Sequence, residues 1–170
     1  NRSVGIYVGN ANGRGALVAD GREGSILFTR SQSSVLFRWS GIFFSANTDA
    51  TRTRLEYATI EFAGIETSDA GGDVWRGNVN IDGPSVAIRQ CQIRDGTKRG
   101  IQLRNASVTI ANCDIVNNGQ YGIYVVSGTP TIQDCRFTEN GSSLSYGDIY
   151  LGEGANATIT NCTISSASKY

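Results

Sequence analysis

Cysteines at positions 91, 113, 135 and 162 are the residues whose type and spacing could do chemistry. They fall 22, 22 and 27 residues apart. Thiols in such a series would pair as disulfides, bind a metal or cycle in redox reactions. The last two need CxxC spacing or histidine partners, and the chain has no CxxC and no His. Without His it also lacks the commonest general base. Glu66, Asp69 and Asp73 lie in a Gly-containing stretch and offer oxygen ligands of the kind calcium takes, but their spacing matches no standard calcium loop. No cofactor is therefore expected beyond calcium near those three carboxylates.

Lysine plus arginine and aspartate plus glutamate balance at 15 each in 170 residues. A net charge of zero leaves no electrostatic footprint for nucleic acid or an anionic membrane. No apolar run approaches the ~20 residues of a membrane span. There is no Met, from which we expect a processed chain or a segment of a larger protein, single-domain over 1–170.

The cysteines belong to a repeat. Four segments align on them: Ser85-Val-Ala-Ile-Arg-Gln-Cys91-Gln-Ile93, Ser107-Val-Thr-Ile-Ala-Asn-Cys113-Asp-Ile115, Thr129-Pro-Thr-Ile-Gln-Asp-Cys135-Arg-Phe137 and Asn156-Ala-Thr-Ile-Thr-Asn-Cys162-Thr-Ile164. A degenerate copy, Thr53-Arg-Leu55-Glu-Tyr-Ala58-Thr-Ile60, has Ala58 where the others have Cys. A second element keeps step: Gly41-Ile-Phe-Phe44, Asn78-Val-Asn-Ile81, Gly100-Ile-Gln-Leu103, Gly122-Ile-Tyr-Val125 and Asp148-Ile-Tyr-Leu151. Apolar residues alternate within each short segment, the period-2 signature of a strand. Each period predicts three short strands, for example Val108–Ile110, Cys113–Ile115 and Ile123–Val125, separated by Asn/Gly turns. The fold class expected is all-β, a right-handed parallel β-helix (solenoid) of about six to seven coils, stacked ~4.8 Å apart.

This pattern, strongest from Thr53 to Ile164, resembles the right-handed parallel β-helix repeat proteins of the pectate-lyase-like superfamily. The earlier segments Gly24–Thr29, Trp39–Phe44 and Leu55–Phe62 look like the coil run of bacterial and archaeal surface proteins of this type. The resemblance implies an extracellular or cell-surface location and speaks to fold more than to function, since members include polysaccharide enzymes and repeat modules without chemistry. An enzyme of this superfamily, a polysaccharide lyase or epimerase, would need a base beside the sugar carboxyl and a cation to neutralise it. Asp82, Arg89, Arg94, Asp95, Lys98 and Arg99 are the available parts. They form no catalytic constellation, and no catalytic residue is assigned.

Stacking the repeats sorts side chains by direction. Ile88, Ile110, Ile132 and Ile159 share one inward column above Leu55. Ile60, Ile93, Ile115, Phe137 and Ile164 share another. Cys91, Cys113, Cys135 and Cys162 form a third, a structural ladder of small apolar fillers whose side chains run parallel, which disfavours disulfide geometry. Gln90, Asn112, Asp134 and Asn161 stand at the same corner, where side-chain amides satisfy turn backbone. Glu56 with Arg89, Asp82 with Arg104, and Asp114 with Arg136 are outward neighbours and predict ion pairs on a solvated face. Thr109, Thr131 and Thr158 form an outward threonine column, but the Glu56, Arg89, Ala111, Gln133, Thr160 column beside it is neither flat nor uniform, against an ice-binding face.

Candidate ligand contacts fall on the second element. Its outward positions are Phe43, Asn80, Gln102, Tyr124 and Tyr150, and two insertions enter the corner before it, carrying Trp75 and Tyr146, with Tyr121 at the same corner. Aromatic rings interleaved with amides suit sugar rings, which offer C–H faces and hydroxyl edges, and insertions in solenoids gather on binding faces. The expectation is an extracellular scaffold or adhesin-like module binding polysaccharide or cell-surface glycan on this stripe. A small polysaccharide lyase or epimerase is the first alternative. The second is a self-assembling fibre or surface-layer subunit associating end to end through open β-helix ends.

Overall fold

The computed structural model describes residues 4–31, 38–65, 67–68, 74–141 and 146–165. Six coils follow one another, each with three short strands. The first holds β1 (Ile6–Val8), β2 (Val18–Asp20) and β3 (Ile26–Phe28), and the second β4 (Ile42–Phe44), β5 (Arg54–Glu56) and β6 (Ala58–Glu61). A hairpin of β7 (Thr67–Ser68) and β8 (Val74–Trp75) precedes the third coil, formed by β9 (Gly77–Asp82), β10 (Ala87–Arg89) and β11 (Gln92–Arg94). The fourth is β12 (Arg99–Arg104), β13 (Thr109–Ala111) and β14 (Asp114–Val116), and the fifth β15 (Ile123–Gly128), β16 (Thr131–Gln133) and β17 (Arg136–Thr138). The sixth is β18 (Ile149–Ala155), β19 (Thr158–Thr160) and β20 (Thr163–Ser165).

Apart from the β7–β8 hairpin, every strand pairs in parallel with its equivalent one coil away, giving three six-stranded sheets. They are β1-β4-β9-β12-β15-β18, β2-β5-β10-β13-β16-β19 and β3-β6-β11-β14-β17-β20. The expected columns are real. Leu55, Ile88, Ile110, Ile132 and Ile159 are direct partners, as are Ile60, Ile93, Ile115, Phe137 and Ile164. Most are fully buried, each contributing roughly 1.5–3 kcal/mol of transfer free energy to one continuous core. Only in the last coil do Leu151, Ile159 and Ile164 lie exposed, where Val125, Ile132 and Phe137 beneath them are covered.

Two corners fix the path of the chain. Between the second and third sheets one residue turns with positive φ: Tyr57, Gln90, Asn112, Asp134 and Asn161, all between 51° and 54°. Non-glycine residues rarely adopt this conformation, and Asn and Asp tolerate it best, which explains that column. The cysteine follows in the arc, one residue before its strand rather than inside it: Asp114, not Cys113, opens β14.

Between the third sheet and the first, corner length varies from coil to coil. Here the interior holds a ladder of buried amides. Asn78 Nδ2 donates to Asn118 Oδ1 at 3.1 Å, Asn118 Nδ2 to Asn140 Oδ1 at 2.9 Å, and Asn140 Nδ2 to Asp148 Oδ1 at 2.8 Å. The amides also serve the backbone. Gly96 N donates to Asn118 Oδ1, Asn118 Nδ2 donates to Ile93 O, and Asn140 Nδ2 donates to Ile115 O. Gly100 and Gly122 make room for them, since a Cβ there would lie 2.9 Å from Asn118 and 3.1 Å from Asn140.

Candidate functional site

The four cysteines are free. Each thiol points to backbone oxygens: Cys91 Sγ to Leu55 O at 3.3 Å, Cys113 to Ile88 O at 3.8 Å, Cys135 to Ile110 O at 3.6 Å and Cys162 to Ile132 O at 3.7 Å. Contacts with the Cys135 and Cys91 thiols, together with burial, push the Cys113 thiol up, away from the reactive thiolate. Among the described residues no group of Cys, Asp and Glu is arranged to hold a metal. Glu66, Asp69 and Asp73, the three candidate calcium ligands, lie outside the described residues.

The outward stripe exists as a column of direct partners on the first sheet: Tyr7, Phe43, Asn80, Gln102, Tyr124 and Tyr150. Tyr7 joins the five residues expected there, and Ile6-Tyr7-Val8 shows the same alternation. The structure divides the column into three unlike parts.

At its foot Phe43 touches Tyr7, ring centroids 6.0 Å apart, and meets Trp75 edge-on at 5.0 Å. In the middle, the backbone from Val74 to Gly77 lies over the sheet and uses up both amides. Asn80 Oδ1 accepts from Gly77 N at 2.8 Å while its Nδ2 donates to Gly77 O at 3.0 Å. Gln102 Oε1 accepts from Arg76 N at 3.0 Å and its Nε2 donates to Val74 O at 3.0 Å. Trp75 is buried, with the Arg104 guanidinium 4.7 Å over its ring. Asn80, Gln102 and Trp75 are therefore bonded and covered, and they hold the insertion on the sheet instead of facing solvent.

At the top four phenols converge. Tyr124 and Tyr150 stack with centroids 4.6 Å apart and planes 6° from parallel. Tyr121 lies 5.3 Å from Tyr124, 5.2 Å from Tyr150 and 5.2 Å from Tyr146. Burial pushes the Tyr121 phenol up, and the adjoining tyrosines add to the shift. Tyr146 and Tyr150 are each 39% exposed.

Below this patch lies Arg99, its guanidinium carbon 3.6 Å from the centre of the Tyr124 ring. Both faces of Tyr124 are thus taken, one by Arg99 and one by Tyr150. Arg99 is only 9% exposed, and its Nε has no hydrogen-bond partner. Burial pushes the guanidinium below its ordinary range and the charge of Arg76 pushes the same way, while Tyr124, Tyr121 and Tyr146 oppose the shift. An arginine nonetheless stays protonated at neutral pH. The sequence placed Arg99 only among parts for an enzyme, and its setting depends on how Tyr124 packs back over it.

The other parts for a lyase do not gather around it. Asp82 pairs with Arg104, Arg89 with Glu56 at 3.9 Å, and Arg94 with the buried Glu61 at 2.7 Å. Asp95 accepts from Asn117 Nδ2 at 2.7 Å. These pairs are spread over all three sheets, and the Asp114–Arg136 pair predicted with them forms at 2.9 Å.

A family model described as a right handed beta helix region matches residues 77–170, which are coils three to six. No curated protein and no solved structure matches the chain. With more than half of its length matched, and with three parallel sheets wound through successive coils, the chain belongs to the right-handed β-helix family.

Proposed function

We propose that this β-helix is an extracellular, adhesin-like scaffold that holds a polysaccharide chain at the patch formed by Tyr121, Tyr124, Tyr146 and Tyr150. One observation carries the reading: phenols from two successive coils and from the second insertion converge with centroid spacings of 4.6–5.3 Å at a point where two rings remain partly open. Tyrosine offers a rigid apolar face and a hydrogen-bonding hydroxyl at small entropic cost. Sugars need that pair of features. The underlying sheet holds the rings in place before a ligand arrives, which lowers the ordering cost of binding.

Titration of an oligosaccharide panel into the protein tests this. Tyr146→Ala and Tyr150→Ala should each weaken binding by about tenfold or more, the loss of roughly 1.4 kcal/mol. Phe43→Ala, at the foot of the same column, should leave affinity unchanged. Saccharide binding indifferent to both tyrosine substitutions would remove the patch as the site.

A further inference from the structure

We infer that Arg99 is an anion-recognition residue, and that the tyrosine patch takes a saccharide bearing a carboxylate or sulfate group. The saccharide part rests on the function proposed above; the anion part rests on Arg99 itself.

A buried guanidinium is normally paired with a carboxylate and has its N–H groups satisfied, because an unpaired buried charge is costly. Two arginines on the outward faces show that pattern: Arg104 pairs with Asp82 and Arg94 with the buried Glu61. Arg99 departs from this pattern. It is more buried than either, its Nε is unpartnered, the groups that act on it most strongly are Tyr124, Arg76, Tyr121 and Tyr146, and among the described residues no carboxylate forms an ion pair with it. The Tyr124 ring supplies a cation–π contact at 3.6 Å, which offsets part of the desolvation without neutralising the charge. Stacking on a ring leaves the in-plane N–H edges of a guanidinium as its free directions, and those are the edges that grip an oxyanion in a two-pronged fork. Arg76 contributes its backbone oxygen to Arg99 N at 3.1 Å and brings a second positive charge alongside. The Arg99 charge, set beside partly open phenols, favours a ligand that brings the negative charge with it.

The test titrates three size-matched oligosaccharides, one neutral, one carrying uronates and one sulfated, and separately inorganic sulfate against chloride as the bare anion. At low salt an anionic oligosaccharide should bind at least about tenfold more tightly than the neutral one, with the advantage shrinking as salt rises. The uronate and sulfate arms tell which oxyanion is preferred. Arg99→Gln should abolish the preference, and Arg99→Lys, which keeps the charge but loses the fork, should restore part of it. Equal binding of neutral and anionic sugars, unchanged in Arg99→Gln, overturns the assignment and leaves the patch as a neutral-glycan site. Arg99-dependent binding of inorganic sulfate without binding of any saccharide supports the assignment and overturns the polysaccharide reading. No anion bound in any arm overturns the assignment. Should Arg99→Gln fail to fold, as judged by circular dichroism, the salt dependence of the unsubstituted protein decides.

Discussion

The corner that carries the cysteines and the corner that carries the tyrosines are built on opposite plans. At the cysteine corner coils two to six each spend the same two residues, one with positive φ and one small inward side chain, so that they stack in identical register. The first coil is the exception, spending residues 21–25 there while its strands still pair in register with the second. At the tyrosine corner the path ranges from a short turn at 95–98 to the long stretch at 62–76, yet the inward residues of the first sheet, Ile42, Val79, Ile101, Ile123 and Ile149, stay in register. The difference lies in who satisfies the interior backbone. At the cysteine corner the chain bonds to the coil below it, as when Asp114 N donates to Cys91 O. At the tyrosine corner the buried amides of Asn78, Asn118 and Asn140 do much of that work. A side-chain ladder frees the outer loop to vary, and the aromatic residues and Arg99 are found where that freedom exists.

Breaking the ladder should therefore have the largest effect. Asn118→Ala removes an acceptor for Gly96 N and for Asn78 Nδ2, and donors to Ile93 O and Asn140 Oδ1, all in a buried site. Groups left unsatisfied cost ~1–3 kcal/mol each. Some relax toward water, so a loss of about 3 kcal/mol is expected from denaturant unfolding, enough to matter for a domain of ordinary stability. A loss below about 1 kcal/mol would mean that the loop backbone holds this corner unaided.

Most of the cysteine side was legible in the sequence, because each coil repeats Ile and Cys at fixed offsets and one alignment fixes every inward column. Two things escaped. Strand β2 shows little pattern, since its only inward residue is Ala19, between Val18 and Asp20 on the outer face. Asn118 and Asn140 lie 22 residues apart, the same interval as Cys113 and Cys135, but an asparagine beside glycine reads as a turn residue, and only the closed coil shows that its side chain points in. The tyrosine side was half legible. Outward alternation located the stripe, while the burial of Asn80, Gln102 and Trp75 follows from a hairpin laid across the sheet, a contact between segments that no periodicity encodes. The orphaned guanidinium of Arg99 is of the same kind, a property of its neighbours in space.

A smaller effect is expected at the cysteines themselves. Cys113→Ala trades a small buried sulfur for a small void and should cost about 1 kcal/mol, near the value of one buried methylene. The saccharide affinity of the tyrosine patch should not change. Thiol labelling followed by mass spectrometry should find Cys162 modified first and Cys91, Cys113 and Cys135 only on unfolding, because the last coil covers Cys162 incompletely. Burial raises the Cys162 pKa. In the folded protein its thiol is therefore held neutral to higher pH than in the unfolded chain, and labelling should accelerate only as pH climbs past the ordinary thiol range. Rapid labelling of Cys113 in the folded protein would show that the ladder opens locally.

The smallest effects compare two cross-coil ion pairs, one on each side. Arg136 reaches Asp114 beside the cysteine corner with most of its side chain in water. Arg104 bonds Asp82 through Nε at 3.0 Å on the face of the first sheet, more covered, with its guanidinium also lodged over the Trp75 ring. Exposed pairs gain little because water screens the attraction and two long side chains must be ordered. Double-mutant cycles should therefore give Asp82–Arg104 a coupling near 1 kcal/mol, the upper end for cross-strand charge pairs, and Asp114–Arg136 a coupling lost within measurement error. Raising salt should erase whatever remains of the second and only weaken the first. Equal couplings would mean that the hairpin carrying Trp75 adds nothing to the sheet beneath it, and the contrast between a solvated corner and a covered face would fail at this pair.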